Sequence, residues 1–242
     1  MKNLTNTLTH LENKFGGITS ASASYTKEDL DVAGKNERMS SSCQGGDRFS
    51  ESGIYREVYS RNIISFIDKK VNIIEIGILK GTGIAIWNEI FKHKNTKIIA
   101  CDIDIQNFLN NFKNIKRMGG FKDVDSINLK KENVNTSRIS SFKFDQYHSK
   151  NSDLIKEIIQ DEKFDIVIDD GDHQDKPNIM TARAIKNFLN KDSIYILEDV
   201  KPRRVDNLIS EFSDIGYNLI DNSNYKDGRV GGALFFKIAE KV

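Results

Sequence analysis

The stretch VNIIEIGILKGTG, residues 71–83, decides the fold. Its first half, Val71 to Ile76, is rich in Ile and Val, with the length and β-branching of a strand buried on both faces rather than of a helix. Its second half carries Gly77, Gly81 and Gly83, and the segment from Gly83 to His93 then spaces Ile84, Trp87, Ile90 and Phe91 as on one face of a helix. A buried strand, a glycine-bearing turn and an amphipathic helix in that order begin a parallel β-α-β unit. Further out the alternation recurs. Lys97 to Cys101, Ser141 to Phe144, Phe164 to Ile168 and Ser193 to Leu197 are short apolar runs, each followed at once by an acidic residue, and helical spacing returns at Ser152 to Gln160 and Ile179 to Leu189. Gly216 to Ile220 and Gly232 to Ile238, across a turn holding Asp227 and Gly228, read as an antiparallel hairpin. The expectation is an α/β fold with a mostly parallel sheet, wrapped by helices and closed by an antiparallel edge.

Two regions stand outside this pattern. Residues 1–55 are polar, with clusters such as SASAS at 20–24 and SSS at 40–42, and form either an arm that covers the active site or clasps a second subunit, or a loose tail. Residues of about 110–138, with GG at 119–120 and many Lys and Asn, read as a helix followed by an insertion loop. Residues 56–242 make one domain, since a chain of 242 residues with 38% hydrophobic content is too short for two large cores. The 36 Lys and Arg against 35 Asp and Glu leave a net charge of +1, so nothing global favours nucleic acid or an anionic membrane. No run approaches the roughly 18 apolar residues of a membrane span, and MKNLTNTLTHLENKF at the start lacks a secretory apolar stretch, so a soluble, cytoplasmic protein is expected. Cys43 and Cys101 have no CxxC spacing, which argues against a thiolate zinc site or a disulfide framework; Cys101 reads as core.

The chemistry gathers at the ends of the apolar runs. After the first, the glycines are spaced GxxxGxG rather than GxGxxG, which disfavours a nicotinamide dinucleotide while still letting a ligand approach the start of a helix. After the second, Asp102-Ile103-Asp104 lies about 20 residues beyond the glycines, where a carboxylate can accept both ribose hydroxyls of a nucleoside; Asp102 is the choice, and Asp104 alternatively caps a helix. Asp145-Gln146 after the third run either reaches an adenine amino group or caps the helix near Ser152. After the fourth comes Asp169-Asp170-Gly171-Asp172-His173, three carboxylates and a histidine that are costly to cluster without a counter-cation. After the fifth comes Glu198-Asp199. If these two strands are neighbours, roughly 5 Å apart, Asp170, Glu198 and Asp199 can share one ion, and an all-oxygen set suits magnesium, manganese or calcium. His173 is then free to act as a general base. His148 could touch cofactor or substrate or serve its loop, His10 and His93 read as surface residues, and Lys201-Pro202-Arg203-Arg204 could contact a phosphate or simply start a helix.

Together, EIGILKG at 75–81, CDID at 101–104, FDQ at 144–146, DDGDH at 169–173 and LED at 197–199 resemble the metal-dependent sugar O-methyltransferases of macrolide biosynthesis and, equally, the related cephalosporin hydroxylase-like and rhamnosyl O-methyltransferase group. The resemblance spans about residues 70–200; upstream, Gly46-Asp47-Arg48-Phe49 through Tyr55 and Tyr59 is only loosely similar. It implies a doubly wound, seven-stranded, Rossmann-like sheet. It further implies S-adenosylmethionine among Glu75, Gly77, Leu79, Lys80, Gly81, Asp102, Asp104, Asp145, Gln146 and Asp169, magnesium on Asp170, Glu198 and Asp199, and His173 with Asp170 as the catalytic residues. Asp172, where that family has a small residue, and the insertion near 110–138 depart from the pattern in places that could alter the acceptor. The expected reaction is methyl transfer to a hydroxyl of a sugar, sugar nucleotide or glycosylated metabolite, with no nucleic-acid or membrane partner and room for a homo-oligomer. The alternatives are a nitrogen, phosphoramidate or carboxylate acceptor, or a cofactor-binding subunit without chemistry of its own; an oxygenase ranks last, because iron would want more histidines.

Overall fold

A computed structural model describes residues 2–16, 48, 49, 55–122, 124, 136–223 and 232–239. Most of the polar arm, Cys43, Gly46, Asp47, the later part of the insertion and the Asp227-Gly228 turn lie outside the described residues. The elements are α1 (Lys2–Phe15), α2 (Arg56–Ile63), β1 (Asn72–Ile76), α3 (Thr82–Ile90), β2 (Lys97–Asp102), α4 (Gln106–Arg117), β3 (Ile139–Lys143), α5 (Asn151–Ile159), β4 (Phe164–Asp169), α6 (Asp175–Ile185), β5 (Leu189–Val200), α7 (Val205–Ile215), β6 (Tyr217–Asn222) and β7 (Gly232–Ile238), with short 3-10 turns at Ile64–Phe66, Lys186–Phe188 and Pro202–Arg204.

The seven strands lie in the order β3-β2-β1-β4-β5-β7-β6. β1 to β5 pair in parallel, and β7 is antiparallel to both β5 and β6. The parallel strands alternate between two apolar layers. Ile73, Ile98, Ile166, Ile194 and Ile196 face one layer with α1, α2, α3 and α4, and Ile74, Ile99, Val167, Tyr195 and Leu197 face the other with α5, α6 and α7. That two-sided burial is why these strands read as near-continuous runs of Ile and Val. Cys101 sits fully buried in the second layer.

Part of the arm belongs to the core. Leu4, Leu8, Leu11 and Phe15 of α1, spaced 4, 3 and 4 residues apart, are buried in the first layer, and each contributes about 1.5–3 kcal/mol of apolar burial. α2 adds Val58, Tyr59 and Ile63 to the same layer. β5 runs longer than its apolar run, beginning at Leu189, the residue expected to end the preceding helix.

Register sets the site. Ile76 stands opposite Cys101 on one side and Asp169 on the other, and Asp169 stands opposite Leu197. The next residue along each of the four strands is Gly77, Asp102, Asp170 and Glu198, so these four sit at one level along the carboxyl edge of the sheet. Strand order reverses between β1 and β4, and ligands of open α/β sheets bind at that crevice.

Candidate active site

The glycine turn after β1 is a contact surface as well as a hinge. Gly77 has φ +86°, and a Cβ there would stand 2.0 Å from the backbone oxygen of Asp170, so the two strand ends meet only because residue 77 has no side chain. Gly81, at the start of α3, packs against the Phe108 ring. Between them Leu79 takes a left-handed φ of 46° with its side chain exposed, and its N–H donates to Asp102 Oδ2 at 3.0 Å. The Lys80 carbonyl accepts from Asn111 Nδ2 of α4 at 3.0 Å. Asp102 Oδ1 accepts from the Asp104 N–H at 2.9 Å, and Asp104 in turn accepts from Gln106 N at the head of α4. The Asp102 carboxylate is thus fixed at the mouth of the cleft, while Asp104 serves the helix start. Leu79, Ile103 and Tyr147, following β1, β2 and β3, are exposed apolar side chains on one rim.

The Asp145-Gln146 pair divides. Asp145 Oδ1 accepts from Tyr147 N at 2.9 Å within its own turn. Gln146 is buried, donating from Nε2 to Asp169 Oδ1 and Thr181 Oγ1 and accepting from the Asp172 N–H. Asp169, fully buried, also accepts from Tyr195 Oη at 2.7 Å and from Asn178; burial pushes its pKa up, against these donors. Gln146 and Asp169 therefore brace the loop after β4 from beneath. His148 Nδ1 accepts from Lys150 N within its loop.

The acidic centre has two halves. In the dry half, Arg48 is almost fully buried, donating from Nε to Glu198 Oε2 at 2.8 Å and from Nη2 to Glu75 Oε1 at 3.0 Å and Asp170 Oδ2 at 2.9 Å. Trp87 Nε1 donates to Glu75 Oε2 at 2.6 Å, Tyr59 Oη donates to Glu198 Oε1, and the guanidinium lies over the Trp87 and Phe49 rings. The cation that the carboxylates call for is thus met from within the chain. Burial pushes Glu198 up to about 7, with Asp199 and Glu75 adding to the rise and Arg48 and Tyr59 opposing it. Burial likewise raises Asp170, and Glu198 adds to it. Burial opposes the charge of Arg48, but Glu198, Glu75 and Asp170 outweigh it and hold the pKa above its ordinary value.

In the open half, one ligand atom each from Asp170, His173 and Asp199 lie within 4.8 Å of one another, with His173 Nε2 at 3.7 Å from Asp199 Oδ2. His173 and Asp199 both hold left-handed φ values, 50° and 52°, a strain of order 1–3 kcal/mol each that persists only where surroundings enforce it. Arg204 enforces the first, donating to the His173 carbonyl, Asp175 and Asn178, so this one residue of the basic run after β5 clamps the His173 loop. A bulge enforces the second. Leu197 pairs with Leu234 and Val200 with Gly232, one residue out of step, so Val200 returns to the layer of Leu197 and Asp199 is the extra residue, turned out beside His173. Tyr55 Oη donates to Asp199 Oδ1 at 2.7 Å. Of the three acids expected to share an ion, Asp170 and Asp199 are brought together with His173, and Glu198 faces inward to Arg48. Arg48, Tyr55, Tyr59 and Trp87 were not assigned from sequence; the signal was the uncompensated acidic charge, which demanded a cation.

No protein-family model matches this sequence, and no curated protein matches it. Solved structures do. MycE methyltransferase from the mycinamycin biosynthetic pathway, in complex with Mg and SAH, superposes with a TM-score of 0.54 at 16% identity over 88% of this chain and 54% of that one. The ribosomal protein L11 methylase of Lactobacillus delbrueckii subsp. bulgaricus gives 0.50 at 12% identity over 76% and 78%. Fibrillarin of Aeropyrum pernix, with natively bound S-adenosyl-L-methionine, gives 0.50 at 13% identity over 71% and 68%. The chain spans about half the length of MycE. Its fold is the Rossmann-like methyltransferase fold. Among the described residues, no helix is long and apolar enough to cross a membrane.

Proposed function

We propose that the chain is an S-adenosylmethionine-dependent methyltransferase that acts, with a divalent ion such as magnesium, on a hydroxyl of a sugar, sugar nucleotide or glycosylated metabolite. The observation that carries this reading is the side-by-side placement, at one level of adjoining strands, of a nucleoside-type cleft at Gly77 and Asp102 and of the open group Asp170, His173 and Asp199. Neighbours of the same fold bind this donor or its product, and MycE does so together with Mg.

In this reading Asp102 accepts the ribose hydroxyls, its own backbone bonds holding the carboxylate in place. Leu79 and Ile103 offer apolar surface to the base. The cluster fits a hard cation, since two carboxylates converge on one point with solvent beside them. Asp170 and Asp199 would hold the ion, and when bound it would lower the pKa of an acceptor hydroxyl and fix its angle. His173, its Nε2 directed at the same point, takes the hydroxyl proton. The donor is a sulfonium whose leaving group departs neutral, so no general acid is needed.

Calorimetry with S-adenosylmethionine, with and without magnesium, followed by a screen of sugar and sugar-nucleotide acceptors scored by mass gain, tests the proposal. Donor binding is expected, together with a gain of one methyl group on the acceptor that exhaustive chelation abolishes. Absence of donor binding overturns it. His173→Ala should bind donor normally yet turn over about 10²-fold more slowly; undiminished turnover removes His173 as the base.

A further inference from the structure

We infer that Arg48 is a positioning residue: it is the resident cation of the buried half of the acidic centre, and by holding Glu75 and Glu198 it leaves Asp170 and Asp199 as the carboxylates that meet a divalent ion. The inference rests on the ion assigned to this site above.

Four carboxylates converge here, and exposure separates them. The Glu75 and Glu198 side chains are 3% and 2% exposed, Arg48 is 9%, Asp170 is 25% and Asp199 is 54%. A guanidinium suits the buried half because its planar fork places donors on separate atoms. Nε serves Glu198, and the two hydrogens of Nη2 serve Glu75 and Asp170. The remaining Glu198 oxygen is taken by Tyr59 and the remaining Glu75 oxygen by Trp87. Both buried acids are therefore bonded at both oxygens, and a metal reaching for Glu198, which is 2% exposed, would compete with Arg48 and Tyr59 for it. Asp170 is the hinge between the halves. One of its oxygens is on the guanidinium, and the Asp170, His173 and Asp199 group points to the open side. Two protein carboxylates, with water and substrate oxygens completing the shell, is an ordinary magnesium environment.

Mn2+ binding to the full chain, followed by its electron paramagnetic resonance, tests this directly. Asp199→Asn should weaken Mn2+ by about tenfold or more, as expected for loss of a ligand, while Glu198→Gln should leave affinity within about threefold. In an Arg48→Met background the vacated place should let the ion engage Glu198, so that adding Glu198→Gln now weakens Mn2+ by about tenfold. A purely structural role for Arg48 would not produce that exchange of dependence. Weakening of the otherwise wild-type chain by Glu198→Gln as large as that by Asp199→Asn would overturn the inference.

A second measurement stands without metal. In EDTA, Arg48→Met should lower the melting temperature by leaving buried carboxylates unpaired, and adding Glu198→Gln should recover part of the loss. No recovery overturns the counter-charge role. If the wild-type chain binds no Mn2+ while this recovery is seen, the divalent-ion reading of the function falls and Arg48 keeps its place as the buried cation.

Discussion

Replacing Gly77 by alanine isolates one contact, because Gly119 supplies a matched control. Both glycines have φ +86°, so each alanine bears the same left-handed penalty, about 1–2 kcal/mol. They differ in what a Cβ would meet. At Gly119 it would find the flexible ends of Lys122 at 3.1 Å and Lys14 at 3.3 Å; at Gly77 it would fall 2.0 Å from the Asp170 carbonyl oxygen and 2.8 Å from Gly171 N, backbone atoms that move only if the end of β4 moves. Overpacking of that kind adds about 1–3 kcal/mol. Gly119→Ala should therefore lose about 1–2 kcal/mol and Gly77→Ala about 2–5 kcal/mol, read from urea unfolding midpoints at constant slope. Gly77→Ala should also weaken Mn2+ binding through the displaced Asp170, whereas Gly119→Ala should not. Equal losses of stability in the two variants would refute the claim that β1 and β4 meet at Gly77 for want of a side chain.

Asp102→Asn keeps the shape of the cleft but removes the charge that would accept the ribose hydroxyls, so donor affinity should fall by about tenfold in calorimetry; unchanged affinity would put the ribose elsewhere. At the opposite end of the sheet, Glu162 accepts from Lys70, Lys97 and Asn72, each at 2.7 Å, which lowers its pKa from 4.5 to about 2. A folded-state pKa below the unfolded one gives stability that is present above about pH 4.5 and lost as pH falls through about 2. Partial exposure limits it to about 1 kcal/mol. Glu162→Gln should cost that amount at pH 7 and almost nothing near pH 2 in unfolding measurements, and a difference independent of pH would contradict the assignment.

The sheet was legible because parallel strands buried on two faces must be apolar throughout, and because each carboxyl end opens on a polar cleft. Ile194 to Leu197 followed by Glu198 states both facts in five letters. The acids at those ends were legible as a group, and the observed pairing register brings Gly77, Asp102, Asp170 and Glu198 to one level. Which acid faces where was not legible. Glu198 and Asp199 are chemically alike, and a bulge and a left-handed φ, set by β7 as much as by β5, send them to opposite sides. Gln146, with the composition of a ligand contact, is drawn under the loop by Asp169 and Thr181, partners distant in sequence. α1 carried its stripe of Leu4, Leu8, Leu11 and Phe15 in view, but Asn and Thr between them dilute the segment, and what makes it a helix is the apolar layer it covers. Arg48 stood in the sequence only as part of a loosely similar upstream segment; the three carboxylates around it reveal its role.

The bulge in β5 also determines what kinds of change this centre can survive through descent. A substitution at residue 198 or 199 alters one side chain and leaves its neighbour in place. An inserted or deleted residue between Ile194 and Leu197 would turn every later position to the other face, offering Arg48 the wrong acid and setting Leu197 against the wrong layer. Side-chain chemistry here is open to gradual exploration, whereas the spacing along this one strand can be altered only in a single step that dismantles both halves of the site together.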